Sequence, residues 1–240
     1  MPASAQRRPD LVVVGDLMFD VSVHAGELAR GGDVHGRVLV RPGGTVANAA
    51  VWAAREGASV RLHAAVGDDP AGSFFEHALA QRGVTPAVTR VSGARTGAML
   101  VVVEEGERSM VADRGANARL SASHLPEEIE CGSLLVSGYT LLHEATAPAG
   151  VAAIRRARAD HIAVDAASWP LIRERGPGRF LSDAEGATIL LANEKEAEIL
   201  GGADDAALRL AKRFPVVVVK RGARGALVAR GDRVDEVATP

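Results

Sequence analysis

The 240-residue chain carries 28 Lys and Arg against 30 Asp and Glu, a balance that argues against a nucleic-acid surface built on a basic excess. Its single cysteine, Cys131, excludes an internal disulfide framework and a thiolate metal site, and suits a reducing compartment. No run approaches the roughly 18 apolar residues needed to cross a bilayer; the expectation is a cytoplasmic protein that engages neither membrane nor nucleic acid.

Residues 1–9, MPASAQRRP, read as a disordered tail, and 10–240 as one α/β domain. Leu11–Gly15 is a short apolar run ended by glycine, as suits a strand buried on both faces of a parallel sheet. Val46–Arg55 reads as a helix stopped by Gly57, Val60–Val66 as a strand, and Ala71–Arg82 as a helix closed by Gly83. Strands follow at Ser133–Val136, His161–Asp165, Thr188–Ala192 and Val216–Lys220. Helices are expected at Ala149–Ala159, from Asn193 to Leu200, and at Ala206–Arg213. This spacing predicts a doubly wound, mostly parallel sheet with helices on both faces. Two segments break the rhythm. Val21–Arg41 and Thr96–Asp113 alternate polar and apolar residues, the second around a Glu-Glu-Gly-Glu turn, and predict antiparallel pairs in a separate small β-sheet.

The residues that could carry chemistry sit at expected strand ends. Gly15-Asp16 closes the first strand, with Asp20 four residues on; ligands bind at the carboxyl edge of a parallel sheet. Asp16 reads equally as a turn cap or as a ligand group. Gly43-Gly44 precedes a helix whose first turn carries Asn48; adjacent glycines allow close approach, and a helix N-terminus offers free N–H groups. Asn193-Glu194-Lys195-Glu196 caps and opens another helix. Lys220-Arg221-Gly222-Ala223-Arg224-Gly225 is a basic, glycine-rich turn without the P-loop spacing. No G-x-G-x-x-G occurs at Gly15-Asp16, which removes a dinucleotide-dependent dehydrogenase.

Taken together, Gly43-Gly44, Asn48, the Ala-rich helix, Gly57-Ala58, Val66-Gly67-Asp68-Asp69, Gly72 and Gly83-Val84 resemble the first signature of the PfkB, or ribokinase-like, carbohydrate kinases. The resemblance extends from Val12 to Pro240 and implies a ribokinase-like α/β body with a small β-sheet lid drawn from about 20–41 and 96–113. It implies a kinase that uses ATP and Mg²⁺ to phosphorylate a hydroxymethyl group of a sugar or nucleoside. By resemblance, Asp16, Asp20, Gly43, Gly44, Asn48 and Tyr139 bind the acceptor. Asn193, Glu196, Lys220, Gly222 and Gly225 line the nucleotide, and Glu196 helps place the magnesium through water. Two positions depart from the family's patterns: Met18 stands where ribokinases proper often carry asparagine, and Asp165 is followed by Ala167 and Trp169 rather than by the sugar-acid kinase residues. Lids of this family can pair between protomers, so a homodimer through the lid is an expectation.

In such kinases a hairpin follows the glycine-rich turn, then a second signature, Asp-Thr-x-Gly-Ala-Gly-Asp, whose last Asp is the catalytic base. That signature does not occur in residues 1–240. The expectation is that the base lies beyond Pro240 and that this chain alone is inactive. A non-catalytic sugar- or nucleoside-binding protein on the same scaffold is the alternative.

Overall fold

The computed structural model describes residues 8–25, 31–104 and 107–239. Of the expected tail, residues 1–7 lie outside the described residues. Pro9 is tied to the body, its carbonyl accepting from the Gly132 N–H at 2.9 Å.

The first half of the chain runs β1 (Leu11–Val14), β2 (Met18–His24), β3 (Arg37–Gly43), α1 (Thr45–Arg55), β4 (Val60–Gly67), α2 (Pro70–Ala80), β5 (Val84–Val91), β6 (Gly97–Glu104) and β7 (Glu107–Asp113). Then come β8 (Ile129–Glu130), β9 (Ser133–Ser137), α3 (Gly138–Leu142), α4 (Ala147–Arg156), β10 (Ala157–Arg158) and β11 (His161–Asp165). The chain continues through α5 (Trp169–Arg175), α6 (Pro177–Asp183), β12 (Ile189–Asn193), α7 (Glu194–Gly201), α8 (Ala206–Ala211) and β13 (Val216–Lys220). A hairpin of β14 (Ala226–Arg230) and β15 (Arg233–Val237) closes it.

Nine strands form the main sheet in the order β15-β14-β13-β12-β11-β9-β1-β4-β5. The seven from β13 to β5 are parallel, and β14 and β15 add an antiparallel edge. Period-two alternation divides the core: Val12 and Val14 join the cluster under α3–α8, while Val13 joins the one under α1 and α2. Val164, Leu190 and Val217 are fully buried on the first face. Their neighbours Ala163, Leu191 and Val218 are half-buried, because α1 and α2 pack over β1, β4 and β5 at the far end of the sheet.

The lid is a four-stranded sheet, β3-β2-β6-β7. Both off-rhythm segments are antiparallel pairs, as their alternation predicts, and the two pairs join through a parallel β2–β6 contact. At the expected turn, Glu105 and Gly106 lie outside the described residues. Asp69 fastens the lid to the body: its carboxylate N-caps α2 through Gly72 and accepts from the Thr96 hydroxyl at 2.6 Å and N–H at 2.7 Å.

Three stretches depart from the sequence reading. Val84–Val91 is a strand despite Pro86, because it is the sheet edge, where a missing donor costs little. The helix expected to reach Ala159 stops at Arg156, since Ala157–Arg158 pairs with Ile129–Glu130. Beyond Asp165 the structure adds α5 and α6, each with proline in its first turn, separated by Gly176 at φ 90°.

Candidate active site

In the chain order, β1 is followed by strands on one side of it and, from β9 on, by strands on the other. The order therefore reverses between β1 and β9, which is where an open α/β sheet forms its crevice. Asp16 leaves β1 at that point and is 8% exposed. Its Oδ1 accepts from the Ser137 hydroxyl at the end of β9 (2.9 Å), and its Oδ2 from the Thr45 N–H at the start of α1 (3.2 Å). Rather than capping its own turn, Asp16 takes the first N–H of α1 from 29 residues away, and it lines the crevice.

The lid leans over this point and overhangs an open cleft of about 500 Å³. Asp16, Asp20, Gly44, Asn48 and Tyr139 all line it. Gly43 sits just behind: a Cβ there would come within 2.1 Å of Asp20 Oδ2. Gly44, at φ 106°, would drive a Cβ to 2.3 Å from the Asp16 carbonyl oxygen. The glycine pair thus makes room for the two aspartates. Among the described residues no protein group donates a hydrogen bond to Asp20, and burial, then the nearby Asp16 charge, push its carboxyl above the usual carboxylate range. The exposed Asn48 lies in the first turn of α1, its N–H bonded to the Gly44 carbonyl.

Two residues that support the lining of this cleft from behind were not singled out by sequence. Arg114, where β7 ends, donates to the Tyr139 carbonyl at 3.3 Å; burial weighs against its charge, and Asp16 and Tyr139 partly offset this. Asn117 is 3% exposed. It accepts from the Leu17 N–H at 3.0 Å and donates to the Leu17 carbonyl at 2.7 Å, fixing the chain between Asp16 and Asp20. Their only local signal is Arg-Gly-Ala-Asn after the second hairpin, while the partner of Asn117 lies 100 residues upstream and that of Arg114 lies 25 residues downstream.

The remaining predicted residues gather farther along the same edge, at the ends of β11, β12 and β13. Asn193 and Glu196 close a reciprocal capping box on α7. The Asn193 N–H donates to Glu196 Oε2 at 2.8 Å and its amide to Oε1 at 2.8 Å, while the Glu196 N–H donates to Asn193 Oδ1 at 2.9 Å. Burial raises the Glu196 carboxyl; the Asn193 N–H lowers it and Asp165 raises it further. Lys220 donates to Asp165 Oδ2 at 2.8 Å. Tyr139 stands between the two groups: burial, then Asp16, raise its phenol, and Glu196 and Asp165 add smaller contributions.

The basic turn differs from its sequence reading in one respect. Lys220, Arg221 and Arg224 are each paired with a carboxylate: Asp165, Glu236 and Glu194. At Gly225 a Cβ would meet the Val237 carbonyl oxygen at 1.9 Å, so the hairpin accounts for that glycine. Gly222, at φ 58°, faces open space.

Among the described residues no three His, Cys, Asp or Glu side chains converge as a metal-ligand group. Glu196 has both oxygens engaged by Asn193. A carboxylate so engaged offers a metal no free oxygen for a direct bond, and suits contact through water with an ion that keeps its hydration shell.

A family model described as pfkB family carbohydrate kinase matches residues 8–240. The chain is 32% identical to the ribokinase of Haemophilus influenzae, over 78% of this chain and 63% of that protein. It is 28% identical to the mouse ribokinase, over 95% of this chain and 73% of that protein. Among solved structures, an adenosine kinase from Sinorhizobium meliloti superposes with TM-score 0.84 at 21% identity, over 97% of this chain and 80% of that one. A fructokinase with bound ATP from Xylella fastidiosa superposes with TM-score 0.82 at 21% identity, over 95% and 77%. These structural likenesses carry the fold.

Proposed function

The chain belongs to the pfkB family of carbohydrate kinases, and from that premise we propose that it serves phosphoryl transfer from ATP to a hydroxymethyl group of a sugar or nucleoside held under the lid. One observation carries the reading: Asp20, without a donor among the described residues, is held over the sheet's switch point in a lidded cleft. A carboxylate with free lone pairs there accepts from two acceptor hydroxyls. Asp16, fixed by Ser137 and Thr45, and Asn48 complete the polar side. Closure of the lid over a bound acceptor would keep bulk water from the reacting groups.

On the nucleotide side, Asn193 and Glu196 orient through water, Lys220 exchanges its Asp165 contact for phosphate, and Gly222 leaves the backbone open to approach. Mg²⁺, when bound with the nucleotide, would neutralise charge developing on the phosphates. None of these residues is assigned as the base for the acceptor hydroxyl. The lone buried Cys131 suits the reducing cytoplasm. Val38, Val40, Leu100 and Val111 are exposed on the lid face turned away from the cleft, which supports pairing of two lids.

The test is a calorimetric titration with sugars and nucleosides, with Asp20→Asn as control, followed by an ATP turnover assay. Binding of one compound that the variant abolishes is the expected outcome; turnover would show that this chain supplies its own base for the acceptor hydroxyl. If no compound binds, or the variant binds as well as the wild type, this is not an acceptor site.

A further inference from the structure

The lining of the cleft narrows the acceptor, on the reading just given. The cleft has two unlike flanks. The polar groups Asp16, Asp20, Arg41 and Asn48 come from the β1 edge, β2, β3 and α1. On β6 and β7, by contrast, the lining residues among those whose side chains are described are all apolar: Met99, Val101, Val103 and Met110. Register sets the flanks side by side, with Asp20 paired to Arg41 on one side and to Met99 on the other, and Val101 paired to Met110. Met18, 6% exposed, adds a thioether already engaged by the Asn117 amide at 3.3 Å. The chain has four methionines, and all three after Met1 line this cleft.

A bare monosaccharide carries hydroxyls around its ring. Seated against Asp20, it would turn some of them toward the β6–β7 flank, where they would lose water without gaining a partner. A molecule with hydroxyls on one edge and a flat apolar ring on the other satisfies both flanks, and methionine sulfur packs favourably on aromatic rings. The geometry points to an acceptor of the nucleoside class: a sugar diol on Asp20 with an attached aromatic ring against Met99, Val101 and Met110. Those three residues set specificity for the ring, and Asp20 holds the part common to all acceptors.

Calorimetry with D-ribose, D-fructose and adenosine tests this. Adenosine is expected to bind at least tenfold more tightly than either sugar. The double variant Met99→Gln/Met110→Gln is expected to shrink that ratio at least fivefold, and Asp20→Asn to abolish binding of all three. The Asp20 control also shows that adenosine occupies this cleft and not the nucleotide edge. A sugar that binds as tightly as adenosine and depends on Asp20 overturns the nucleoside proposal and leaves the kinase reading standing. A preference that survives the double variant overturns it too. If nothing binds in an Asp20-dependent way, the acceptor reading fails and the proposal with it.

Discussion

Truncating Asn117 to alanine tests whether one buried amide holds the acceptor aspartates. Leu17 is fully buried, and its N–H and carbonyl are both met by Asn117, at 3.0 and 2.7 Å. Removing the amide orphans one donor and one acceptor out of reach of bulk water. Each orphan costs about 1–3 kcal/mol, so the pair costs roughly 2–6 kcal/mol. At about 2–4 °C per kcal/mol for a protein of this size, the melting temperature should fall by at least about 4 °C. Differential scanning fluorimetry reads the fall. Calorimetry should then show acceptor affinity reduced more than nucleotide affinity, because Leu17 lies between Asp16 and Asp20. Asn117→Asp sharpens the test: its carboxylate can still accept from the Leu17 N–H but faces the carbonyl without a proton. Its folded pKa is therefore raised, and its defect should ease as pH falls through that value. A melting temperature within about 1 °C of wild type for Asn117→Ala would refute the reasoning, since Leu17 would then have other partners.

Four further outcomes follow from the same geometry. Gly44→Ala forces a Cβ to 2.3 Å from the Asp16 carbonyl at φ 106°; it should destabilise by roughly 2–4 kcal/mol in chemical denaturation, and a change below about 0.5 kcal/mol would show that the loop yields freely. Asp20→Asn should raise the melting temperature at pH 7 while abolishing acceptor binding: the folded-state pKa is raised, so the ionised carboxylate costs stability above that pKa and the cost fades as pH falls through it. His63 is buried on β4 with its pKa lowered to about 4 from 6.5, so its neutral form favours the fold above pH 6.5 and the contribution is lost as pH falls toward 4. The full shift is worth on the order of 3 kcal/mol, and His63→Gln should flatten that part of the stability curve against wild type; parallel curves would sink the assignment. Val40→Lys, on the lid's outer face, should shift any lid-paired dimer to monomer in sedimentation equilibrium without loss of acceptor binding; an unchanged distribution would place the contact elsewhere.

Local chemistry was legible in the sequence because its causes are local. The apolar run at Leu11–Gly15, the glycine stops after the early helices and the alternation in the two lid segments each rest on neighbours within a few residues. So did Asn193 and Glu196, whose capping box closes over three positions. Asp20, Gly43-Gly44 and Asn48 could be singled out by pattern, but the reason for the glycines could not. Sequence suggested close approach of a ligand; the structure shows the space taken by Asp20 and by the Asp16 carbonyl.

The rest depended on pairings between distant segments. Asn117 meets Leu17 across 100 residues, Ser137 meets Asp16 across 121, and Lys220 meets Asp165 across 55. Nothing in the neighbourhood of Asn117 or Arg114 announces such a partner. The pairing of the basic turn with carboxylates was equally hidden, because charge composition does not say which charges face each other. The sequence by itself determined the elements and the residue types available at the strand ends, since these follow from periodicity and backbone preference. Only the tertiary structure decided which of those ends meet at the switch point, and that the lid presents a polar flank and an apolar one to the same cleft. Strand order and register are long-range choices, made by burying whole faces rather than by any short stretch of chain.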